Sequence, residues 1–341
     1  MNIEQLVIPP KVIAIVTTYQ CTAACKNCCF GCNPRIKVRL SLQEMTNYVD
    51  QAVEYYGKNV FVLVLTGGEP FLLGNDLEKI VGHSAPKGLI VRIVTNGYWA
   101  KSYQEAYDIL SNLRNKGLKE INFSTGDDHL QWVDYENIVN GSMAAMDLGL
   151  TCLINVETHD NSSFNGDVFR NDSRLTDYFD KLKYANSLRV ERGMWVPFND
   201  NSTISYDKIE KNNENLCKKR CDSLFTTLPI TPYSQLMACC GLTCEHIVPF
   251  RLGCLRNKTM KELYEAQFND LLKIWLFVEG PYTVLEYIYR KRGVDKKIIG
   301  HTCYMCAEIF RDEENINYIK DNYSEIMPTI MFKYFLLKKT I

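Results

Sequence analysis

Cys21-Thr22-Ala23-Ala24-Cys25-Lys26-Asn27-Cys28 sets three cysteines in a CxxxCxxC run directly after an apolar stretch, Lys11 to Val16, that reads as a β-strand. Three thiolates in one tight loop suit a metal centre. A structural zinc ion takes four nitrogen or sulfur ligands, so zinc here needs a further partner from Cys29, Cys32 or a distant histidine. A cubane iron–sulfur cluster held by three cysteines differs, because its fourth iron stays open to a small-molecule ligand. The loop alone does not choose between them.

A second apolar run, Asn59 to Leu65, ends in Thr66-Gly67-Gly68-Glu69-Pro70. Two glycines at a strand's C-terminal end let the backbone approach a ligand closely and leave amide donors exposed, while Glu69 can accept from a cationic amine. This predicts a mouth for an amino-acid-like ligand. CxxxCxxC followed by GGEP resembles the radical S-adenosylmethionine (radical SAM) enzymes. The resemblance implies that Cys21, Cys25 and Cys28 hold a [4Fe-4S] cluster whose open iron chelates the amine and carboxylate of S-adenosylmethionine. It also puts Gly67, Gly68, Glu69 and Pro70 at that same amine. Many members carry an aromatic residue just before the third cysteine; this chain has Asn27.

The chain's 341 residues, 46% of them hydrophobic, are enough for one large domain or a domain with a satellite. A formal net charge of −1 argues against a strongly electrostatic nucleic-acid binder. There is no N-terminal hydrophobic signal segment and no apolar run long enough to span a bilayer. Fourteen cysteines in such a chain read as reduced thiols and metal ligands rather than a disulfide framework. A cytoplasmic, oxygen-sensitive protein is expected.

Residues 1–200 alternate strand and helix patterns, the signature of right-handed βαβ units on a parallel sheet. Strands are expected at Val12 to Val16, Val60 to Leu65, Leu89 to Val94, Ile121 to Ser124, Leu150 to Val156 and Leu188 to Val196. Ser41 with Glu44 and Ser102 with Glu105 fit capping boxes, and Gly117 and Gly149 sit where helices should stop. Six repeats, fewer than the eight of a closed barrel, predict a partial (β/α)6 barrel whose open side is covered by substrate or a following domain.

Ligands of parallel α/β folds sit at the strands' C-terminal ends, and the polar residues gather there. Thr95-Asn96-Gly97 closes strand three, Ser124-Thr125-Gly126-Asp127-Asp128-His129 strand four, and strand five carries Asn155 and Glu157. Ser124 and the acidic turn after it resemble the family segment that touches the carboxylate or ribose of S-adenosylmethionine. Gly126 stands where many relatives have an acid, which leaves Asp127 or Asp128 as shifted substitutes. Ser124 and Asp127 through that resemblance, and Thr95, Asn96 and Asn155 through their place on the rim, are the further candidate S-adenosylmethionine contacts. Each also has a plain structural role open to it: turn former for Thr95 to Gly97, helix-start cap for His129, solvent-facing strand end for Asn155 and Glu157. Cys152 reads as a core thiol.

Residues 201–216 are polar and turn-rich, a linker. Residues 217–341 form a second field with Cys217, Cys221, Cys239, Cys240, Cys244, Cys254, Cys303 and Cys306. Cys303-Tyr304-Met305-Cys306, with two more thiolates, can close either zinc or a second cubane. Cys221, Thr231-Pro232-Tyr233-Ser234, Cys239-Cys240-Gly241 and the late CxxC resemble the shortened auxiliary-cluster domains called SPASM or twitch. That resemblance implies Cys221, Cys239, Cys303 and Cys306 as ligands of one auxiliary [4Fe-4S] cluster. Leu271 to Arg292, with Trp275 and Phe277, is expected to be a packing helix. The amphipathic tail Ile330 to Leu337 is expected to dock on the barrel rather than anchor to a membrane.

The doublet Cys239-Cys240 suggests that one thiol ligates while its neighbour is free to give up a hydrogen atom. The extension Cys28-Cys29-Phe30-x-Cys32-x-Pro34, the segment Asn96-Gly97-Tyr98-Trp99, the doublet and the late CxxC followed by Phe310 resemble radical peptide epimerases of the epipeptide-maturing kind. This implies L-to-D epimerisation at Cα of a ribosomally made precursor peptide, with Cys240 as hydrogen donor and a flavodoxin or ferredoxin supplying electrons. Neither nucleic acid nor membrane is an expected partner. Many peptide-maturing relatives carry an N-terminal leader-binding domain, and Cys21 lies too near the start to leave room for one, so leader recognition is expected from the barrel or a partner. Thioether or carbon–carbon cross-linking is the alternative outcome on the same first cluster, and a non-catalytic zinc-binding interaction protein the alternative of another class.

Overall fold

The computed structural model describes residues 3–159, 161–180, 182–183, 186–194, 196, 219–295 and 301–340. The linker expected at 201–216, Cys217 and Trp195 lie outside the described residues. The chain divides into two compact units, and the division does not fall at one point of the sequence: Lys11–Trp195 with Ile230–Ser234 form one, Met1–Pro10, Val196–Pro229 and Gln235–Ile341 the other.

The first unit is built on six parallel strands in chain order: β1 (Val12–Val16), β2 (Val62–Thr66), β3 (Ile90–Thr95), β4 (Leu118–Thr125), β5 (Thr151–Thr158) and β6 (Arg189–Met194). Ile13, Ile15, Leu63, Leu65, Val91, Ile93, Phe123 and Ile154 are fully buried in its core. The helices α1 (Leu42–Tyr56), α2 (Asn75–Ser84), α3 (Tyr103–Asn115) and α4 (Tyr135–Asp147) cross between the first five strands. Helix α1 opens on the expected capping box, with Ser41 Oγ accepting from Glu44 N and Ser41 N donating to Glu44 Oε2. At α3, Ser102 Oγ accepts from Glu105 N at 3.2 Å. Between β5 and β6 stand only a one-turn helix, α5 (Asp167–Arg170), and a 3-10 turn, Thr176–Phe179. The architecture is the expected mixed α/β fold on a parallel sheet. Its register aligns the strands' C-terminal ends on one rim, pairing Val16 with Thr66 and Ser124 with Asn155.

In the second unit β7 (Thr227–Ile230), β8 (Gln235–Met237) and β9 (Arg251–Cys254) are followed by α6 (Met260–Ala266), α7 (Leu271–Arg292), α8 (Thr302–Arg311), α9 (Glu313–Asp321) and α10 (Tyr323–Lys338). Strands β8 and β9 pair antiparallel. Helix α7 breaks at Gly280, φ +81°, where a Cβ would lie 2.0 Å from Lys219 O, a close approach only glycine permits. Trp275 and Phe277 of α7 are buried, as their helical spacing predicts. Helix α10 packs on α7 of its own unit, where the sequence suggested the barrel as its dock, and buries Ile326, Ile330 and Tyr334. Tyr334 donates to Leu6 O, and the Tyr264 hydroxyl lies 2.9 Å from Ile8 O. No helix among the described residues is long and apolar enough to cross a membrane.

Candidate cluster sites

The cysteine loop is held against the end of β2. Gly68 N donates to Thr18 O at 2.7 Å and Glu69 N to Gln20 O at 2.9 Å. A Cβ would meet Thr18 O at 2.5 Å from residue 67 and Gln20 O at 2.1 Å from residue 68. The close approach predicted for the two glycines therefore exists, but to the chain's own backbone, and the amides of Gly68 and Glu69 are engaged rather than exposed. The doublet positions the strand from which Cys21 emerges.

Glu69 is fully buried and caps the turn Pro70–Leu73 by accepting from Phe71 N at 3.0 Å. Its carboxylate also accepts from Thr95 Oγ1 at 2.9 Å and Asn96 N at 2.9 Å. Burial outweighs these donors and pushes the Glu69 carboxyl up to about 7. Thr95 Oγ1 in turn accepts from Gly97 N and Trp99 Nε1, both at 3.0 Å, so this hydroxyl is committed inside the fold. Asn96 reaches the loop, its Nδ2 donating to Thr22 Oγ1 at 3.0 Å and lying 3.5 Å from Cys21 Sγ.

The rim beyond β4 is a network. Gly126 has φ +132°, and a Cβ there would lie 2.4 Å from Glu157 Cγ. The space an acid at 126 would occupy is thus filled by a carboxylate from β5. Glu157 accepts from Asp128 N, from His129 N at 3.3 Å and from His129 Nδ1. Asp128 Oδ2 accepts from Asn27 N at 3.0 Å and Asn27 Nδ2 at 3.1 Å, tying the loop to the end of β4. Asp127 turns away and holds Ser163 N at 2.8 Å, Ser163 Oγ at 2.6 Å and Phe164 N at 3.1 Å. Ser124 and Asn155, paired across β4 and β5, make no side-chain hydrogen bond among the described residues, and Asn155 is exposed. Of the residues singled out for S-adenosylmethionine, Thr95 and Asp127 are engaged internally, whereas Ser124 and Asn155 stay available on the rim. The sequence put Glu157 and Asp128 on this rim; what spacing did not reveal is that Glu157 fills the space at residue 126 and that Asp128 ties Asn27.

Cys21, Cys25 and Cys28 lie close enough to feel one another's charge. Burial pushes the Cys21 thiol up to about 11; it also raises Cys25, which faces the Glu157 carboxylate as well. Cys28 is drawn down to about 6, chiefly by a hydrogen bond from the Cys32 thiol. Among the described residues no three histidine, cysteine, aspartate or glutamate side chains converge as a single metal ion requires. A cubane spreads its ligating sulfurs over separate corners, and this donor set fits it.

In the second unit the thiols of Cys221, Cys239, Cys303 and Cys306 are all raised by burial and lie in a shared electrostatic environment, in which Cys240 also acts on Cys221, Cys239 and Cys303; for Cys239 a hydrogen bond with Cys244 is the larger cause. A Cβ on Gly241 would lie 3.0 Å from Cys303 Sγ and 3.5 Å from Cys239 Sγ, so the glycine leaves open the space these sulfurs face. Cys303 is fixed from both sides, its N–H given to His301 Nδ1 at 3.1 Å and its carbonyl accepting from Thr243 Oγ1 at 2.7 Å. Thiols that desolvation holds protonated become thiolates only with a cation beside them, and this donor set, with open space beside Cys239 and Cys303, fits a second cluster. Cys240 is exposed, its Sγ 3.7 Å from Ser223 Oγ and 4.0 Å from Thr227 Oγ1.

Residues 15–161 match the model of the radical SAM superfamily. A curated relative, the putative peptide biosynthesis protein YydG of Bacillus subtilis (strain 168), is 24% identical over 132 residues, which is 38% of this chain and 40% of that protein. The chain thus matches less than half the length of that relative. Among solved structures, native anSMEcpe with bound AdoMet and Cp18Cys peptide superposes with a TM-score of 0.53 at 13% identity, over 96% of this chain and 100% of that one. A histidine-tagged form of anSMEcpe with bound AdoMet gives 0.50 at 14% identity, over 76% and 82%. At such identities these likenesses speak for the fold. With the family model falling on the three-cysteine loop and on strands β1 to β5 of the parallel sheet, residues 15–161 are a radical SAM domain.

Proposed function

We propose that this chain is a radical SAM enzyme that modifies a ribosomally made peptide, and that the modification is L-to-D epimerisation at Cα. The observation that carries the finer assignment is the split of the doublet: Cys239 is buried, as is Cys306, whereas Cys240 is exposed with its thiol near two hydroxyls. The name of the YydG relative and the peptide bound in the anSMEcpe structure support a peptide substrate.

When bound at Cys21, Cys25 and Cys28, a [4Fe-4S] cluster with S-adenosylmethionine supplies a 5′-deoxyadenosyl radical that removes one hydrogen atom from carbon. Cys240 then gives the hydrogen of its S–H to the opposite face of that carbon and becomes a thiyl. One electron and one proton restore the thiol. Cys221, Cys239, Cys303 and Cys306 would hold an auxiliary cluster beside it, and a flavodoxin or ferredoxin would be the ultimate electron source. In this reading Ser124 and Asn155, whose side chains make no hydrogen bond among the described residues, would orient S-adenosylmethionine, and Glu69 holds the end of β2.

The test is the mass of a candidate precursor peptide after anaerobic reaction with reconstituted enzyme, S-adenosylmethionine and reductant in deuterated water. Epimerisation delivers deuterium from the exchangeable thiol, a gain of about one mass unit per modified residue, abolished in Cys240→Ala. A loss of about two mass units means cross-linking and removes the donor role from Cys240. A colourless protein containing zinc and no iron would remove the radical reading altogether.

A further inference from the structure

The segment that carries the cysteine loop is also one-sidedly basic. Between Glu4 and Glu44 there is no acidic residue, in a chain with 39 basic and 40 acidic residues overall, yet this stretch carries Lys11, Lys26, Arg35, Lys37 and Arg39. Four of the five follow or interrupt the cysteine run, and all four are exposed. Arg39 is paired with Asp76. Among the described residues Lys26, Arg35 and Lys37 form no ion pair; Lys37 Nζ donates only to Pro34 O, at 2.9 Å, which leaves its charge unneutralised. The carboxylates nearest the loop in the network are turned inward, Asp128 onto Asn27 and Glu157 onto His129.

We propose that this basic loop face, centred on Lys26, Arg35 and Lys37, is the docking surface for an acidic one-electron carrier protein of the flavodoxin type. The inference rests on the reading of Cys21, Cys25 and Cys28 as cluster ligands. The reaction there needs one electron per turnover. Cys25 and Cys28, which flank Lys26 and Asn27, are only partly buried, so a carrier seated on this loop comes close to two of the cluster ligands. Small electron-transfer interfaces are weak and depend on charge complementarity for their encounter rate. Three uncompensated cations on the ligand-bearing loop supply it. The step forms and breaks no bond: the reduced carrier loses one electron and the cluster gains it.

The experiment compares full-length reconstituted wild type with Lys26→Glu/Arg35→Glu/Lys37→Glu by anaerobic stopped flow, with reduced flavodoxin as donor and dithionite as the small-molecule control. We expect the flavodoxin rate constant to fall about tenfold or more at low ionic strength, with the difference shrinking as salt is raised. The dithionite-reduced electron paramagnetic resonance signal should be unchanged. A flavodoxin rate equal to wild type, a wild-type rate indifferent to salt, or a variant whose only defect is a raised KM for peptide would overturn the docking surface. Absence of a cluster signal with dithionite in wild type would instead overturn the cluster assignment beneath it, which keeps the two failures distinct.

Discussion

Gly68→Ala tests how the cysteine loop is held. A Cβ on residue 68 would lie 2.1 Å from Gln20 O and 2.6 Å from Gln20 C. Both are backbone atoms, so no rotamer change relieves the clash, and reaching ordinary contact at 3.4 Å requires the two segments to part by about 1.3 Å. That separation breaks the bonds from Gly68 N to Thr18 O and from Glu69 N to Gln20 O. Each loss costs about 1 kcal/mol where water replaces the partner and about 3 kcal/mol where the group stays buried. Local opening of the loop becomes easier by about 2 to 6 kcal/mol, at least roughly thirtyfold in the opened population. Cys21, 8% exposed, reports that opening. Its alkylation in the cluster-free protein, mapped by peptide mass analysis, should speed up by that factor. Gly82→Ala is the control, since it lies inside α2 where a Cβ meets nothing closer than Lys116 Cδ at 3.6 Å. There alanine adds about 1 kcal/mol of helix preference, and Cys21 should be labelled no faster. Cys21 alkylation at the wild-type rate in Gly68→Ala, or equal acceleration in both variants, would refute the account.

Asp128→Ala removes the acceptor of two buried Asn27 donors, so Cys25 and Cys28 should be alkylated at least about tenfold faster in the cluster-free protein, while Ser163 contacts and the fold by circular dichroism persist. The Glu69 carboxyl, at about 7 in the fold against an ordinary 4.5, keeps its proton where the unfolded chain releases it. Its stabilising contribution is therefore full below about pH 4.5 and lost as pH rises through 7, on the order of 3 kcal/mol. Urea unfolding at pH 5 and pH 8 should show this decline, and Glu69→Gln should flatten that part of it. Cys303→Ala with Cys306→Ala should lower reconstituted iron by about four atoms per chain and leave the electron paramagnetic resonance change on adding S-adenosylmethionine intact. If that change disappeared too, the two cysteine groups would not be separate sites.

In the first unit β1 and β2 were legible as nearly unbroken apolar runs, VIAIV and VLVLT, whereas β3 to β6 carry polar or charged residues such as Arg92, Glu120, Asn155 and Glu191 among their apolar ones. Strand ends were less legible. Strand β4 begins at Leu118 rather than Ile121 because Glu120 is accommodated by Arg92 of the adjacent strand at 2.9 Å, a pairing no local pattern announces. Strand β5 runs on through Glu157, whose charge reads in sequence as the end of a strand. In the site, the cysteines and Glu69 stood out by residue type and spacing. The filling of the space at Gly126 by Glu157, and the tie of Asn27 to Asp128 across 101 positions, are facts of register between distant segments. Whether Cys239 or Cys240 turns inward is decided by one backbone step, and identical neighbours carry no signal of it.

The second unit begins with residues made early and closes with residues made late. Leu6 and Ile8 are held by the hydroxyls of Tyr334 and Tyr264, and Gln5 O by Lys338 Nζ at 2.5 Å. On the ribosome, strands β2 to β6 have their parallel partners once β6 has emerged, whereas Gln5, Leu6 and Ile8 wait for Tyr264, Tyr334 and Lys338 to follow. Removing Tyr334 and the residues after it would therefore loosen the segment around Leu6 as well, and protease sensitivity near Leu6 becomes a readout of whether α10 is in place.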